Sequence, residues 1–151
     1  MYINQPKVLR KSSGNVLLVD INGFTRMKED LNEEEWVSLL EYFFSKCEEI
    51  LIDLKFSKIG SGLIIGDGIL IFSEKMSELS WNNYIELKVR NKLLEGFEIY
   101  KKNFNADYLD ITFINTYCDF YVRSETDVIG PKIDILFQAC QIHEGNNILH
   151  I

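Results

Sequence analysis

The chain has 151 residues, of which 46% are hydrophobic and 26% charged, and a formal net charge of −7. That length supports one domain with a substantial core, and the composition is that of an ordinary globular protein. The negative charge argues against nucleic-acid polymers and anionic membranes, whose phosphates reward clustered Lys and Arg, but not against a single nucleotide whose charge a divalent cation neutralises locally.

Residues 1–14 carry no apolar signal-peptide core, and no apolar run approaches the ~18 residues of a membrane span. They read as an extension to a cytoplasmic domain covering residues 15–151. Cys47, Cys118 and Cys140 are odd in number and lack zinc spacing, so they read as buried, reduced thiols.

In chain order, NVLLVD (15–20) is a short apolar run rich in Val and Leu that delivers Asp20 to the tip of a buried strand. Gly23 follows, and a long helix is expected from Asn32, which can cap it with Glu35 three residues on. Trp36, Leu39, Leu40, Phe43, Cys47, Ile50, Leu51 and Leu54 recur at three- and four-residue steps, a core-facing stripe.

Residues 56–74 contain two β-rich runs around Gly66-Asp67-Gly68, a hairpin with Asp67 in its turn. A second helix is expected over 81–103 and a long alternating strand over 108–122. A polar loop at 123–127 leads to Gly130-Pro131, where Pro131 suits the first turn of another helix. A short strand closes the chain at 147–151. The order predicts an α+β, ferredoxin-like fold, a mainly antiparallel sheet with helices packed on one face.

Two carboxylates converge in that layout. Asp20 ends the first strand, and Asp67 turns a hairpin that such a sheet places beside it. Neighbouring carboxylates hold hard divalent cations, and backbone N–H groups near Gly23 and Phe24 offer a phosphate cradle. Metal plus cradle suits phosphoryl or nucleotidyl transfer. An Asp after a strand is ordinarily a turn former or helix cap, so only the combination carries weight.

VLLVDINGFTRM resembles the signature of the class III adenylyl and guanylyl cyclases: a strand, Asp-Ile-x-Gly-Phe-Thr and a short helix. LIIGDGILIFSE is similar to that family's second metal motif. DVIGPKIDILFQACQI followed by EGNNILHI is similar in spacing to its third region. Together they span nearly all of residues 15–151.

The resemblance implies that Asp20, the Ile21 carbonyl and Asp67 bind two Mg²⁺ or Mn²⁺ ions. The backbone of Asn22, Gly23, Phe24 and Thr25 would meet the triphosphate, and Asp127 would accept a hydrogen bond from the base. It implies formation of a 3′,5′-cyclic nucleotide and pyrophosphate from a nucleoside triphosphate. The active site would be shared across a homodimer or with a related partner chain.

The sequence departs from the pattern at three places. Leu63 stands at the purine-selecting position, where an aliphatic side chain cannot hydrogen-bond a base. Asp127 beside it could accept from the exocyclic amine of adenine or cytosine. In this the chain resembles the divergent pyrimidine cyclases of bacterial antiphage signalling. Asp134 replaces an Asn, and Gln138 replaces the transition-state Arg, a loss worth on the order of a hundredfold in rate. Lys132 and Arg123 could substitute for a triphosphate-binding Lys, but read first as solvated surface charges. These departures keep open a reading of another class: a cyclase-homology domain that dimerises or senses nucleotide without turning it over.

Overall fold

The computed structural model describes residues 9–143 and 145–151. Its elements are β1 (Arg10–Asn22), α1 (Phe24–Asp30), α2 (Glu33–Phe56), β2 (Ser61–Ile65), β3 (Gly68–Ser73), α3 (Glu78–Tyr84), α4 (Asn91–Asn103), β4 (Asp110–Ser124), β5 (Asp127–Ile129), α5 (Pro131–Ile142) and β6 (Ile148–His150), with a π-helical stretch, Ile85–Arg90, joining α3 to α4. The strands form one sheet in the order β2-β3-β1-β4-β5, antiparallel throughout that path, and β6 pairs parallel with β4. The fold is the expected α+β architecture.

Two differences from the expectation concern the strands. β1 begins at Arg10, five residues before the apolar run, because Arg10 to Gly14 continue the ladder against Val122 to Cys118. The polar loop at 123–127 shrinks to a tight corner, and Asp127 opens β5.

β1 is buried on both sides, which explains its unbroken apolar run. Leu17, Val19 and Ile21 point into a core formed with α1, α2 and the α3–α4 run, while Val16 and Leu18 point into a second core under α5. β3 alternates likewise: Ile69 and Ile71 join the first core, Leu70 and Phe72 the second. The helices therefore cover both faces rather than one. The sequence pattern hid this because α5 covers the reverse face with only Ile133, Leu136 and Cys140 fully buried.

Asn32 caps α2 as expected. Its side chain accepts from the Glu35 N–H at 2.9 Å, and the Glu35 carboxylate accepts from the Asn32 N–H at 3.2 Å. Such a cap contributes about 1 kcal/mol.

In the α3–α4 run Trp81, Ile85, Val89, Leu93 and Phe97 are fully buried at unbroken four-residue steps. A regular α-helix has about 3.6 residues per turn, so such a stripe would drift off one face. The π-helical stretch is wider per turn and brings the stripe back. Trp81 is pinned further by its indole N–H, which donates to Asn115 Oδ1 on β4 at 2.8 Å.

Candidate active site

Asp20 lies near the end of β1 on the α5 face, following Val16 and Leu18 in alternation. Its partner across the β1–β3 ladder is Gly68, the residue after Asp67. Ile65 pairs with Gly68, so the hairpin loop is Gly66-Asp67 rather than Asp67-Gly68. Gly66 takes the left-handed conformation, φ 54°, at the first loop position. Gly68 is required for a different reason: a Cβ there would meet the Val19 carbonyl oxygen at 2.0 Å.

This register brings the Asp20 carboxyl within hydrogen-bonding reach of Asp67. Burial, then the hydrogen bond and charge of Asp67, push the Asp20 carboxyl up to about 7, against a backbone hydrogen bond from Ile21. Neither carboxylate has an ion-pair partner among the described residues. From the other side α5 brings Cys140. Burial raises its thiol to about 12, with the fields of Asp20 and Asp67 adding to the shift.

The donor set fits a hard divalent cation. It offers two carboxylates, hard oxygen donors with excess negative charge, while the Ile21 backbone N–H donates to Asp20. Among the described residues no third His, Cys, Asp or Glu completes a metal cluster, so phosphate or water oxygens would have to fill any remaining positions. Beyond Asp20, β1 loses its β3 partner: Ile21 and Asn22 pair only with Ile111 and Asp110 of β4.

Asn22 turns its side-chain amide away, donating to Thr112 Oγ1 and to the His143 carbonyl. Gly23 follows at φ 90° and precedes α1 with no side-chain cap. Phe24 packs against the main core and carries the Lys28 ammonium 4.4 Å from its ring, while Thr25 is exposed.

Leu63, Asp127 and Asp134 come together elsewhere. They line a cavity of about 300 Å³ between the β2–β3 hairpin, β5 and the start of α5, walled also by Ile65, Leu70 and Ile133. Asp20 and Asp67 do not line it. Gln138 lies exposed on α5, one turn beyond Asp134. Asp127 is not a loop carboxylate waiting for a ligand. It is only 8% exposed, and Arg123 donates to its Oδ2 through Nε at 2.6 Å and through Nη2.

Arg123 keeps the solvated position expected of it and adds an ion pair to Asp127, because the tight β4–β5 corner folds it back across four residues. That i,i+4 spacing of opposite charges was the available signal, but it carries meaning only once the corner is known. The proximity of Cys140 to the acid pair had no signal beyond the apolar stripe of α5. All three cysteines are buried and unbridged, as expected. No helix among the described residues is long and apolar enough to cross a membrane.

This is the fold of class III nucleotidyl cyclase domains, shared with several solved structures. The chain is similar to the guanylyl cyclase Cya2 (19% identity, TM-score 0.72, covering 95% of this chain and 77% of that one). It is similar to the adenylyl cyclase CyaB from P. aeruginosa (18% identity, TM-score 0.67, 95% and 79% covered). A class III adenylyl cyclase-like ATP-binding protein from Pseudomonas aeruginosa is also similar (17% identity, TM-score 0.64, 91% and 33% covered). No protein-family model and no curated protein sequence matches the chain.

Proposed function

We propose that the chain is a metal-dependent nucleotidyl cyclase domain acting as a homodimer. The observation that carries this reading is the Asp20–Asp67 pair, unpaired with any cation among the described residues and set in a cyclase fold. In the reaction the ribose 3′-oxygen bonds to the α-phosphorus and the bond from that phosphorus to the bridging oxygen breaks. Pyrophosphate leaves with the electron pair, and the hydroxyl proton is released to water.

Asp20, Asp67 and the Ile21 carbonyl would hold Mg²⁺ or Mn²⁺, which when bound lowers the pKa of the 3′-hydroxyl and offsets phosphate charge. The backbone from Asn22 to Thr25, with α1 lacking a side-chain cap, binds the triphosphate. Leu63 and Asp127 contact the base, and Asp134 and Gln138 lie along the same substrate path. The separation of the acid pair from the base cavity within one chain supports a site shared between two copies, each giving one half.

A second reading has an observation of its own. Gln138 puts a neutral amide where the reaction calls for a cation, which favours a nucleotide-binding domain without turnover. Incubating the protein separately with ATP, GTP, CTP and UTP and Mn²⁺ or Mg²⁺, with mass spectrometry of the products, separates the two. A cyclic nucleotide absent from Asp20→Ala establishes the cyclase. Metal-dependent binding with no product at high protein concentration establishes the silent domain.

A further inference from the structure

The Arg123–Asp127 pair does more than neutralise a buried carboxylate. Both partners line the cavity beside Leu63, whose remaining walls are largely aliphatic. Nε and Nη2 of Arg123 are committed to a single oxygen, Asp127 Oδ2. Neither Arg123 Nη1 nor Asp127 Oδ1 makes a hydrogen bond among the described residues. The Arg123 side chain stays 58% exposed against 11% for Asp127, so its free N–H groups remain within reach of an entering ligand.

Resting on the base-pocket reading above, we propose that Arg123 determines base specificity by donating to a carbonyl oxygen of the base, so that the site takes guanine, cytosine or uracil and rejects adenine. A guanidinium is permanently charged and has no acceptor to offer. Its charge-assisted bond is strongest to a carbonyl oxygen, as in its pairing with guanine edges. Adenine alone among the four bases has no carbonyl. It would leave the cation facing ring nitrogen or amine, with Leu63 unable to supply a substitute. Asp127 Oδ1, held by the same ion pair, then accepts from an N–H of the base. A bidentate reading of this kind discriminates by about tenfold to a hundredfold.

Equilibrium binding of ATP, GTP, CTP and UTP in the presence of Mn²⁺ tests this on the full chain. At least one of GTP, CTP and UTP should bind tenfold or more tightly than ATP, and the three titrations identify which. The double variant Arg123→Gln/Asp127→Asn keeps a hydrogen-bonded pair without burying a lone charge, and should bring the ratio to ATP close to one. Arg123→Lys keeps Asp127 paired but loses the fork, so the ratio should fall several-fold even if the double variant does not fold. Tightest binding of ATP, or a ratio unchanged in either folded variant, would overturn the inference while leaving nucleotide binding intact. If no triphosphate binds the wild-type protein, the proposed function falls and this inference with it.

Discussion

Asp20 reaches Asp67 because its cross-strand partner is Gly68, the residue that follows Asp67 and carries no side chain. The sheet register, rather than a loop, sets the two carboxylates side by side. Packing by Val16 and Leu18 before Asp20, and by Ile69 to Phe72 after Gly68, fixes that register. A one-residue slip would turn Asp20 to the opposite face.

In metal-free protein this arrangement opposes folding at neutral pH. The folded Asp20 carboxyl titrates at about 7, above its ordinary value of 3.8. The folded state therefore holds a proton that the unfolded chain has released. The stabilisation from that proton is complete below the unfolded value and is lost as pH rises through about 7. Asp20→Asn should raise the melting temperature at pH 8 in EDTA and much less at pH 5. After discounting for solvent screening the gain is about 1–2 kcal/mol, or a few degrees. Thermal melts at the two pH values decide it, and an equal gap at both would refute the role given to Asp20.

The two glycines of the hairpin should respond differently to alanine. Gly68→Ala drives a Cβ into the Val19 carbonyl and must separate β1 from β3. A loss of about 1–3 kcal/mol is expected, together with loss of any Mn²⁺-induced stabilisation. Gly66 has open space around it, and its φ of 54° is the only obstacle. Gly66→Ala should therefore cost only about 1 kcal/mol. Urea unfolding of both variants checks the order, and equal losses would contradict it.

What could be read beforehand was what lies close in sequence. Asn32 and Glu35 announce their capping box within four residues, and the α2 stripe needs only its own periodicity. The Asp67 hairpin was legible, but its register was not. Asp-Gly is the stronger turn signal in isolation, yet Gly68 is needed in the strand, where its missing Cβ lets β1 approach. The π-helical stretch was not legible locally, because the drift of four-residue steps off an α-helical face is small over any two steps and shows only across the full run from Trp81 to Phe97. β5 and the Arg123–Asp127 pair were missed together. Ser124, Glu125 and Thr126 read as a loop, and only the corner they form returns Arg123 to Asp127.

Asn115 ties two elements, α3 and β6, to β4. Its Oδ1 accepts from the Trp81 indole, and its amide donates to Asn82 Oδ1 and meets His150 Nδ1, each at 3.1 Å. Because the indole N–H occupies the carbonyl, the amide must be the donor toward His150. Asn115→Ala leaves a fully buried indole N–H without a partner, and roughly 2–3 kcal/mol should be lost. Urea unfolding measures the loss, and a change below about 0.5 kcal/mol would contradict the network.

The last expectation concerns Gln138, where chemistry rather than folding is at stake. Its exposed position on α5, one turn beyond Asp134, accepts a longer side chain without disturbing Ile133, Leu136 or Cys140 beneath. Gln138→Arg should leave the melting temperature unchanged within about a degree, as surface substitutions do. On the cyclase reading proposed above, it would return a cation to where charge builds on the phosphates as the pyrophosphate leaves. Placed there, such a donor is worth on the order of a hundredfold in rate and much less in ground-state affinity. The variant should thus form cyclic nucleotide faster than wild type by one to two orders of magnitude, with triphosphate affinity changed less than about threefold. Single-turnover product formation and binding of the same triphosphate measure the two quantities separately. If Gln138→Arg tightens binding and leaves the rate where it was, Gln138 does not face the reacting phosphate, and the silent-domain reading gains.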